Sequence, residues 1–264
     1  MVFDDLIYEK HDGVAVITIN RPAKFNAFRA TTCTELIAAF RDAWADRSIG
    51  VVILTGAGDR AFCTGGDVSV RDADGYDGAT SKSDIGLDIE EVHSIIRDIP
   101  KPVIAAVNGY AIGGGHVLHV ICDMTIAADT AKFGQVGPKV GSVDPGFGTA
   151  YLARVVGEKK AREIWYLCEQ YTAEECREMG LVNKVVPEAE LMDAAHAWAQ
   201  RILDMSPTAI KLAKQSFNAD TESIRGMSAI AISAVALYYG SDEALEGQAA
   251  FMEKRPPDFR RFRR

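Results

Sequence analysis

The sequence predicts an α/β fold, because strand patterns and helix patterns alternate along most of its 264 residues. Three observations support this class. Short runs of β-branched and apolar residues recur between glycine-rich stretches. Apolar residues at helical spacing follow many of these runs, and beyond residue 187 only helical patterns remain. The order strand, strand, helix occurs at least twice, which indicates a spiral of repeated ββα units.

The predicted strands are of two kinds. Residues 13–20 (GVAVITIN) alternate around β-branched residues, as a half-buried strand does. Residues 50–58 (GVVILTGAG) and 101–113 (KPVIAAVNGYAIG) are apolar runs that end in glycine, which is typical of strands buried on both faces. Shorter strands are predicted at residues 124–129, 132–135 and 181–187.

The predicted helices lie between and after these strands. Residues 60–85 are rich in Gly, Asp and Ser and are predicted to form a loop. Pro100 ends the helix that follows this loop. From Glu188 onward the pattern is helical, and Ser206 followed by Pro207 marks a helix start. The earlier helices are predicted at residues 31–46, 83–99, 114–123 and 149–170.

Composition and charge exclude several functional classes. The chain is 48% apolar and 25% charged, as in ordinary globular proteins, and its net charge of −8 argues against a general nucleic-acid binder. No apolar run reaches the roughly 18 residues that span a membrane, and the acidic N-terminus lacks a signal peptide. The five cysteines lack metal-type spacing, so we expect reduced thiols and a cytoplasmic location.

A basic segment closes this acidic chain. Residues 254–264 (KRPPDFRRFRR) carry six cations and one acid. Two interpretations are open: the segment is a solvated tail, or it contacts a phosphate-bearing ligand or a neighbouring subunit.

Two glycine clusters each follow a predicted strand, at residues 61–67 (AFCTGGD) and 109–119 (GYAIGGGHVLH). Glycine lets the backbone approach a ligand closely, and a helix start presents unpaired N–H groups. Two such loops can each direct one N–H at a carbonyl oxygen that becomes an oxyanion. Tight turns or a phosphate loop are the alternatives, although the second cluster lacks the spacing of known nucleotide-binding motifs.

A third stretch, residues 134–148 (GQVGPKVGSVDPGFG), contains the lone acid Asp144 two residues after Ser142. No other residue between Asp129 and Glu158 is acidic. An oxyanion hole needs a proton donor or acceptor beside it, and Asp144 is the candidate for that role. The alternative is that Asp144 only begins a turn before Pro145.

These motifs, with the stretches PVIAAVNGYAIGGGHVLHVICDMTIAAD and FGQVGPKVGS, resemble the crotonase (enoyl-CoA hydratase/isomerase) superfamily. The resemblance runs from ITINRPAKFNAF to EKRPPDF. It implies an acyl-CoA substrate, a homotrimer or homohexamer, and a crotonase-like spiral of ββα units in residues 1–200. It also implies a helical segment in residues 201–264 that supports oligomerisation and completes the active site. The oxyanion hole would consist of the N–H groups of Gly66 and Gly114.

The hydratases of this family use two glutamates, and the matching positions here are Val117 and Gly137. Neither residue can activate water by acid–base chemistry, so simple hydration is disfavoured. The chain looks most similar to 2-ketocyclohexanecarboxyl-CoA hydrolase and 1,4-dihydroxy-2-naphthoyl-CoA synthase. Stretches such as VFDDLIYE and SVDPGFGTAYLARVVGEKKAREIWY favour the hydrolase, whereas GGHVLHVICDMTIAAD looks similar to the synthase. A non-catalytic acyl-CoA-binding relative is a third interpretation.

The resemblance also implies roles for individual residues. Asp144 would be the base that handles water or an acidic substrate proton, and Ser142 would steer Asp144 or bind the ketone oxygen. Tyr239 would protonate the α-carbon, with Tyr76 as the second candidate. Sequence leaves open whether Tyr238 or Tyr239 faces the pocket.

Binding contacts follow from the same resemblance. Lys24 and Ala27 would lie near the adenine and phosphates of coenzyme A, and Lys254 would approach it from the same or a neighbouring subunit. We expect no bound cofactor and no metal, since His116 and His119 lack a third ligand. Related synthases hold bicarbonate as a base beside Gln135 and Gly137, so bicarbonate is an alternative base here. The other predicted substrate contacts are Thr64, Gly65, Asp67, Val68, Tyr110, Gly113 and Val136, where Val68 replaces the usual glutamine.

Overall fold

The protein was analysed as a computed structural model, which describes residues 1–72, 75–76, 78 and 81–263. It confirms the α/β class, with mixed sheets packed against helices and a helical C-terminal segment. The strands are β1 Leu6–His11, β2 Val14–Ile19, β3 Val51–Gly56, β4 Ala61–Cys63, β5 Arg71–Asp72, β6 Gly75–Tyr76, β7 Val103–Val107, β8 Tyr110–Ile112, β9 Met124–Ala128, β10 Lys132–Gly134, β11 Gln170–Thr172 and β12 Lys184–Val186. The helices are α1 Ala30–Ala45, α2 Ile89–Asp98, α3 Gly114–Ile121, α4 Gly137–Val140, α5 Leu152–Val156, α6 Glu158–Leu167, α7 Ala173–Glu178, α8 Leu191–Leu203, α9 Pro207–Ala219, α10 Glu222–Tyr239 and α11 Asp242–Met252.

The larger sheet contains six strands in the order β1-β2-β3-β7-β9-β12. All neighbouring strands are parallel except the β1–β2 pair at one edge. Every residue of β3 and β7 is buried, which explains their unbroken apolar sequences. This sheet therefore forms the centre of the core.

The smaller sheet, in the order β11-β10-β8-β4, positions the site. Strands β4, β8 and β10 run parallel to one another, so their carboxyl ends meet at one edge. The loops that leave this edge begin at residues 64, 113 and 135. Ligands of parallel sheets commonly bind outside the carboxyl ends of the strands. The three motif-bearing stretches of the sequence are thus brought together by strand pairing.

The predicted single strand at residues 101–113 is wrong, because the chain changes sheets at Asn108 and Gly109. The Asn108 Nδ2 donates to the carbonyl oxygens of Gly56 and Gly58 at 2.8 and 2.6 Å, which fixes the crossing. A Cβ on Gly109 would collide with the Arg60 carbonyl oxygen, so only glycine fits there. A continuous apolar run could not reveal this change of sheet.

Other boundaries differ as well. The helix predicted at residues 83–99 begins only at Ile89, and the helix predicted at 149–170 is interrupted by Gly157, which has a φ of 81°. A short π-helical turn at Phe147–Tyr151 precedes α5. The sequence missed the edge strands β1 and β11 and the short strands β4, β5 and β6 in the predicted loop.

The C-terminal helices are attached to the core through a buried lysine. The Lys214 Nζ on α9 lies 2.7 Å from Asp123 Oδ2 and donates to the carbonyl oxygens of Ile96 and Lys101 at 3.0 Å. The predicted division at residues 200 and 201 falls inside α8, so the division into two parts remains a prediction. Within the described ranges, no helix combines the length and apolarity needed to cross a bilayer.

Candidate active site

A cavity of about 1100 Å³ opens at the carboxyl ends of β4, β8 and β10. Its volume lies at the upper end of the usual range for ligand pockets. All predicted site residues except Lys254 line it. Two parts of its wall matter for chemistry. We call residues 64–67 and 113–115 the amide edge, and we call Arg71, Tyr76, Ser142, Asp144 and Tyr239 the polar cluster.

The amide edge is built by close backbone approach. A Cβ on Gly65 would lie 2.8 Å from the Gly114 nitrogen, and a Cβ on Gly114 would lie 2.6 Å from Phe28 Cζ. The Phe28 N–H donates to the Gly65 carbonyl and the Asp67 N–H donates to the Phe28 carbonyl, at 2.8 and 2.9 Å. Neither the Gly66 nor the Gly114 amide donates to any described residue. Both N–H groups are therefore available to a ligand oxygen.

Asp67 orients the loop that carries Gly66. Its Oδ1 accepts from the Ser69 N–H at 3.1 Å, and its Oδ2 accepts from Arg21 at 2.9 Å. Burial acts to raise its pKa, but the hydrogen bonds from Ser69 and Arg21 outweigh burial and lower the pKa below its ordinary value. The carboxylate is thus committed to the protein, and its predicted role as a substrate contact is limited to its backbone.

A buried glutamine and histidine support the second half of the amide edge. The Gln135 Nε2 lies 3.3 Å from the Gly113 carbonyl oxygen and 3.3 Å from His116 Nδ1. Burial lowers the pKa of His116 to about 3, so its ring is neutral and can accept this hydrogen bond at Nδ1. His116 and Gln135 together fix the turn from which the Gly114 amide projects. The sequence interpretation considered His116 as a possible metal ligand and missed this contact.

Asp144 faces the cavity at the start of the tight turn that leads into α5. Its Oδ1 accepts from the Gly148 N–H at 3.2 Å, and a Cβ on Gly148 would lie 2.8 Å from the Asp144 Cβ. Trp165 holds the turn from behind, since its Nε1 donates to the Gly148 carbonyl at 2.5 Å. The turn therefore requires glycine at position 148.

The surroundings of Asp144 favour its protonated form. Part of the side chain remains accessible from the cavity, yet the enclosing protein raises the pKa of Asp144 to about 7, chiefly through desolvation. The Gly148 N–H acts in the opposite direction, and the charge of Glu90 on α2 adds to the increase. A carboxyl group with this pKa exchanges protons near neutral pH, as a general base must.

Ser142 pairs with Tyr239, since their hydroxyl oxygens lie 3.1 Å apart. No hydrogen bond joins Ser142 to Asp144, so the expectation that Ser142 steers Asp144 is not supported, and its contact with substrate remains a prediction. Tyr239 lines the main cavity, whereas Tyr238 lines a separate pocket of about 400 Å³. Of the two neighbouring tyrosines, Tyr239 is therefore the one placed for chemistry.

Tyr76 stands between the amide edge and the polar cluster. Its hydroxyl group packs so closely on Gly66 that a side chain at position 66 would collide with it. Its ring meets the Tyr239 ring edge-on, with 6.5 Å between centroids. Burial raises the pKa of Tyr76, so the phenol stays neutral and retains a proton to donate.

Arg71 is the member of the polar cluster that the sequence interpretation missed. The side chain is 6% exposed, and its Cζ lies 4.5 Å from the centroid of the Tyr239 ring. Its Nη2 donates to the Val140 carbonyl at 3.1 Å, and its Nη1 lies 3.5 Å from the Gly141 carbonyl oxygen. In the sequence Arg71 is one charge in a loop of mixed charge, and no pattern signals its burial.

The two positions that match the hydratase glutamates are closely surrounded by other protein atoms. Val117 is fully buried on α3 and does not line the cavity. A Cβ on Gly137 would lie 2.6 Å from the Ser142 carbonyl oxygen and 3.0 Å from Trp165 Cζ3. Protein atoms thus fill part of the space beside Gly137 where bicarbonate was expected, and bicarbonate binding stays a prediction.

Lys24 and Ala27, which are expected near coenzyme A, line the cavity, as does the predicted substrate contact Tyr110. Their contacts with a ligand stay predictions. Lys254 is exposed and does not line the cavity of its own chain, where Arg255 takes the place expected for it. Buried Glu246 accepts two hydrogen bonds from Arg255, at 2.6 and 3.1 Å. A contact of Lys254 with a neighbouring subunit stays a prediction.

Metal and thiol chemistry find little support in the described part of the chain. No group of three potential metal ligands occurs there, and the His116 and His119 rings pack edge-on with 4.9 Å between centroids. Cys63 accepts from the Gly65 N–H at 3.4 Å, and burial raises its pKa to about 12. Cys63 is therefore a packing residue rather than a nucleophile.

Comparisons with known proteins show the family and the fold of the chain. The family model described as enoyl-CoA hydratase/isomerase matches residues 9–262. An enoyl-CoA hydratase from Mycobacterium avium subsp. paratuberculosis K-10 is 28% identical, with a TM-score of 0.86 and coverage of 98% of this chain and 99% of that chain. A monofunctional enoyl-CoA isomerase from M. smegmatis is 31% identical, with a TM-score of 0.71 and coverage of 83% of this chain and 94% of that chain. OdaA from Pseudomonas aeruginosa is 29% identical, with a TM-score of 0.83 and coverage of 94% of this chain and 99% of that chain.

Proposed function

We propose that this chain, which belongs to the enoyl-CoA hydratase/isomerase family, opens the ring of a cyclic β-ketoacyl-CoA with water. The substrate class is represented by 2-oxocyclohexanecarboxyl-CoA, and the product is a dicarboxylic acid joined to CoA through one carboxyl group. One observation carries the proposal: among the described residues that line the cavity, Asp144 is the carboxyl group with a pKa of about 7, and the two positions that match the hydratase glutamates carry valine and glycine.

The amide edge supplies the electrostatic part of the reaction. Cleavage of the ring bond leaves an electron pair that the thioester accepts as an enolate. The N–H groups of Gly66 and Gly114 would donate to the enolate oxygen, whose charge develops only along the reaction path. Loss of one such donor typically raises the barrier by about 3–4 kcal/mol.

Asp144 supplies the base. In its ionised form it takes a proton from water, and the resulting hydroxide adds to the ring ketone. The tetrahedral oxyanion then re-forms a C=O bond as the bond to the α-carbon breaks. Ser142, which pairs with Tyr239 at 3.1 Å, lies two residues away and would bind the ketone oxygen.

A phenol completes the proton transfers. Tyr239 or Tyr76 gives a proton to the α-carbon of the enolate, and the new carboxylic acid restores the phenol by losing its own proton. Asp144 releases its proton to solvent. One water is consumed, and one proton is released for each ring opened.

Ring closure by the same residues is the second candidate. The stretch GGHVLHVICDMTIAAD looks similar to the synthase that condenses o-succinylbenzoyl-CoA, and it includes His116, which supports the amide edge. Enolate stabilisation serves bond formation as well as bond cleavage, so substrate tests must separate the two directions.

The test is a mass-spectrometric assay of the purified protein with three substrates. Ring opening predicts that 2-oxocyclohexanecarboxyl-CoA gains the mass of one water and that Asp144→Asn abolishes the gain. Turnover of o-succinylbenzoyl-CoA alone would select the synthase, and hydration of crotonyl-CoA alone would select a hydratase. No turnover of any of them, with tight binding of the thioesters, would mark a non-catalytic acyl-CoA-binding protein.

A further inference from the structure

Arg71 is a buried cation that borders the cavity. It is 6% exposed, and none of the carboxylates whose side chains the structure describes lies within 4.0 Å of its guanidinium group. Its contacts are neutral: the carbonyl oxygens of Val140 and Gly141, and the face of the Tyr239 ring. Removal of a guanidinium group from water is unfavourable unless an anion or several acceptors replace the water.

Other buried cations of this chain show what Arg71 lacks. Lys214 is paired with Asp123 at 2.7 Å, and Arg21 is paired with Asp67 at 2.9 Å. Arg97 is buried without a carboxylate among the described residues, but it lies over two aromatic rings, at 5.2 and 4.7 Å, and does not border the cavity. Among these four cations, Arg71 is the one that borders the cavity without a carboxylate partner among the described side chains.

We propose that Arg71 binds a second anion on the acyl group, the carboxylate at the end opposite the thioester. This inference rests on the proposed function, since ring opening turns the ketone carbon into that carboxylate. The site would then have two positions for negative charge. The amide edge binds the thioester enolate, and Arg71 with the hydroxyl groups of Ser142 and Tyr239 binds the oxyanion and then the carboxylate.

The position of Arg71 fits this role. Its guanidinium group donates to the two carbonyls that directly precede Ser142, and it packs on the ring of Tyr239, the partner of Ser142. The planar guanidinium group can donate two parallel hydrogen bonds to a carboxylate, which gives both strength and orientation. The ligand class is therefore an acyl-CoA with a carboxylate at its far end.

The experiment compares two CoA thioesters of equal chain length by isothermal titration calorimetry. Pimeloyl-CoA carries the terminal carboxylate and heptanoyl-CoA ends in a methyl group. We expect the wild-type protein to bind pimeloyl-CoA at least 10-fold more tightly, and we expect Arg71→Gln to bind the two about equally. Arg71→Lys keeps the positive charge and should retain part of the preference for pimeloyl-CoA. That result would show that loss of the cation, and not unfolding, removes the preference in Arg71→Gln.

Lys24→Gln is the matched control, because Lys24 lines the cavity and is expected to contact the coenzyme A part of both ligands. It should weaken both ligands by the same factor and leave their ratio unchanged. Equal affinity of the wild-type protein for both thioesters, or an unchanged preference in a folded Arg71→Gln protein, overturns the anion site. Preference for pimeloyl-CoA without ring opening overturns the proposed reaction alone, and ring opening without the preference overturns the anion site alone.

Discussion

The two parts of the cavity wall are built in different ways. The amide edge uses backbone N–H groups of two loops that follow parallel strands of one sheet, and glycine permits their close approach. The polar cluster uses side chains from the β5–β6 hairpin, the loop after α4 and the end of α10. The first part depends on local sequence and strand pairing, whereas the second depends on packing between segments more than 90 residues apart, as for Ser142 and Tyr239.

This contrast has a chemical meaning. Enolate stabilisation is common to many acyl-CoA reactions, and the amide edge supplies it from the backbone. The choice of reaction then depends on the side chains that face it, here one carboxyl group, two phenols and a cation. Substitutions in the polar cluster should therefore change which reaction occurs, and substitutions at the amide edge should affect every reaction.

The largest effect should come from Asp144→Asn. The amide keeps the shape and the hydrogen bond from Gly148 but cannot take a proton from water. We expect kcat for ring opening to fall by up to about 10⁴-fold, the upper range for a positioned base. In the wild-type protein kcat/KM should rise with pH through about 7, as Asp144 ionises. Full turnover by the asparagine variant would assign the base elsewhere.

Gly65→Ala tests the amide edge. A Cβ here would lie 2.8 Å from the Gly114 nitrogen, and the φ of 86° at this position is unfavourable for alanine. We expect about a 10²- to 10³-fold loss of kcat, as for removal of one oxyanion donor, for every thioester that is turned over. The circular dichroism spectrum serves as the control for folding. A loss confined to cyclic substrates would contradict the separation of the two regions.

Tyr239→Phe removes one proton donor of the polar cluster. Since Tyr76 lies beside it, with 6.5 Å between ring centroids, we expect a loss of kcat of about 100-fold, the lower range for a general acid. The measurement is the rate of deuterium incorporation at the α-carbon in heavy water, compared with Tyr238→Phe, whose side chain lines the other pocket. Equal losses in both variants would reject the assignment of Tyr239.

His116→Phe tests a side chain that supports the amide edge. The phenyl ring fills similar space but cannot accept the hydrogen bond from Gln135, which lies 3.3 Å from His116 Nδ1. Because one hydrogen bond contributes about 0.5–1.5 kcal/mol, we expect kcat to fall about 2- to 10-fold with KM nearly unchanged. A rise in KM alone would show that the histidine acts on substrate binding.

The last prediction concerns stability rather than rate. The folded state raises the pKa of Asp144 from 3.8 to about 7, so its protonated form stabilises the fold at low pH and this contribution is lost as pH rises through 7. The melting temperature of Asp144→Asn relative to wild type should therefore increase from pH 5 to pH 8 and then level off. The difference corresponds to at most about 4 kcal/mol. A difference independent of pH would mean that Asp144 does not have the raised pKa.

Sequence patterns predicted the features that depend on neighbouring residues. Continuous apolar runs indicated buried strands, and glycine clusters after strands indicated the amide edge, both of which the described residues contain. The isolation of Asp144 in a stretch without other acids also indicated a candidate proton donor or acceptor, and a pKa of about 7 suits that role.

What sequence could not predict depends on distant contacts. Burial of Arg71 under the carbonyls of Val140 and Gly141 joins segments about 70 residues apart, and nothing near Arg71 in the sequence signals it. The change of sheet at Asn108 depends on carbonyl groups some 50 residues earlier in the chain. The family resemblance placed Lys254 near coenzyme A, in the same or a neighbouring subunit. Within its own chain, Arg255, which is paired with Glu246, lines the cavity instead.

The crossing at Asn108 and Gly109 joins the buried centre of the larger sheet to the strand that ends at the amide edge. Two residues, Asn108 and Gly109, separate the end of β7 from the start of β8, and the Asn108 side chain donates to the Gly56 carbonyl at the end of β3. The Gly114 amide, one of the two proposed oxyanion donors, is therefore connected to the buried centre of the larger sheet through a short segment of backbone. Amide hydrogens of residues 110–113 should therefore exchange nearly as slowly as those of the central strands, whereas the unpaired amide of Gly114 should exchange faster until a ligand oxygen accepts from it.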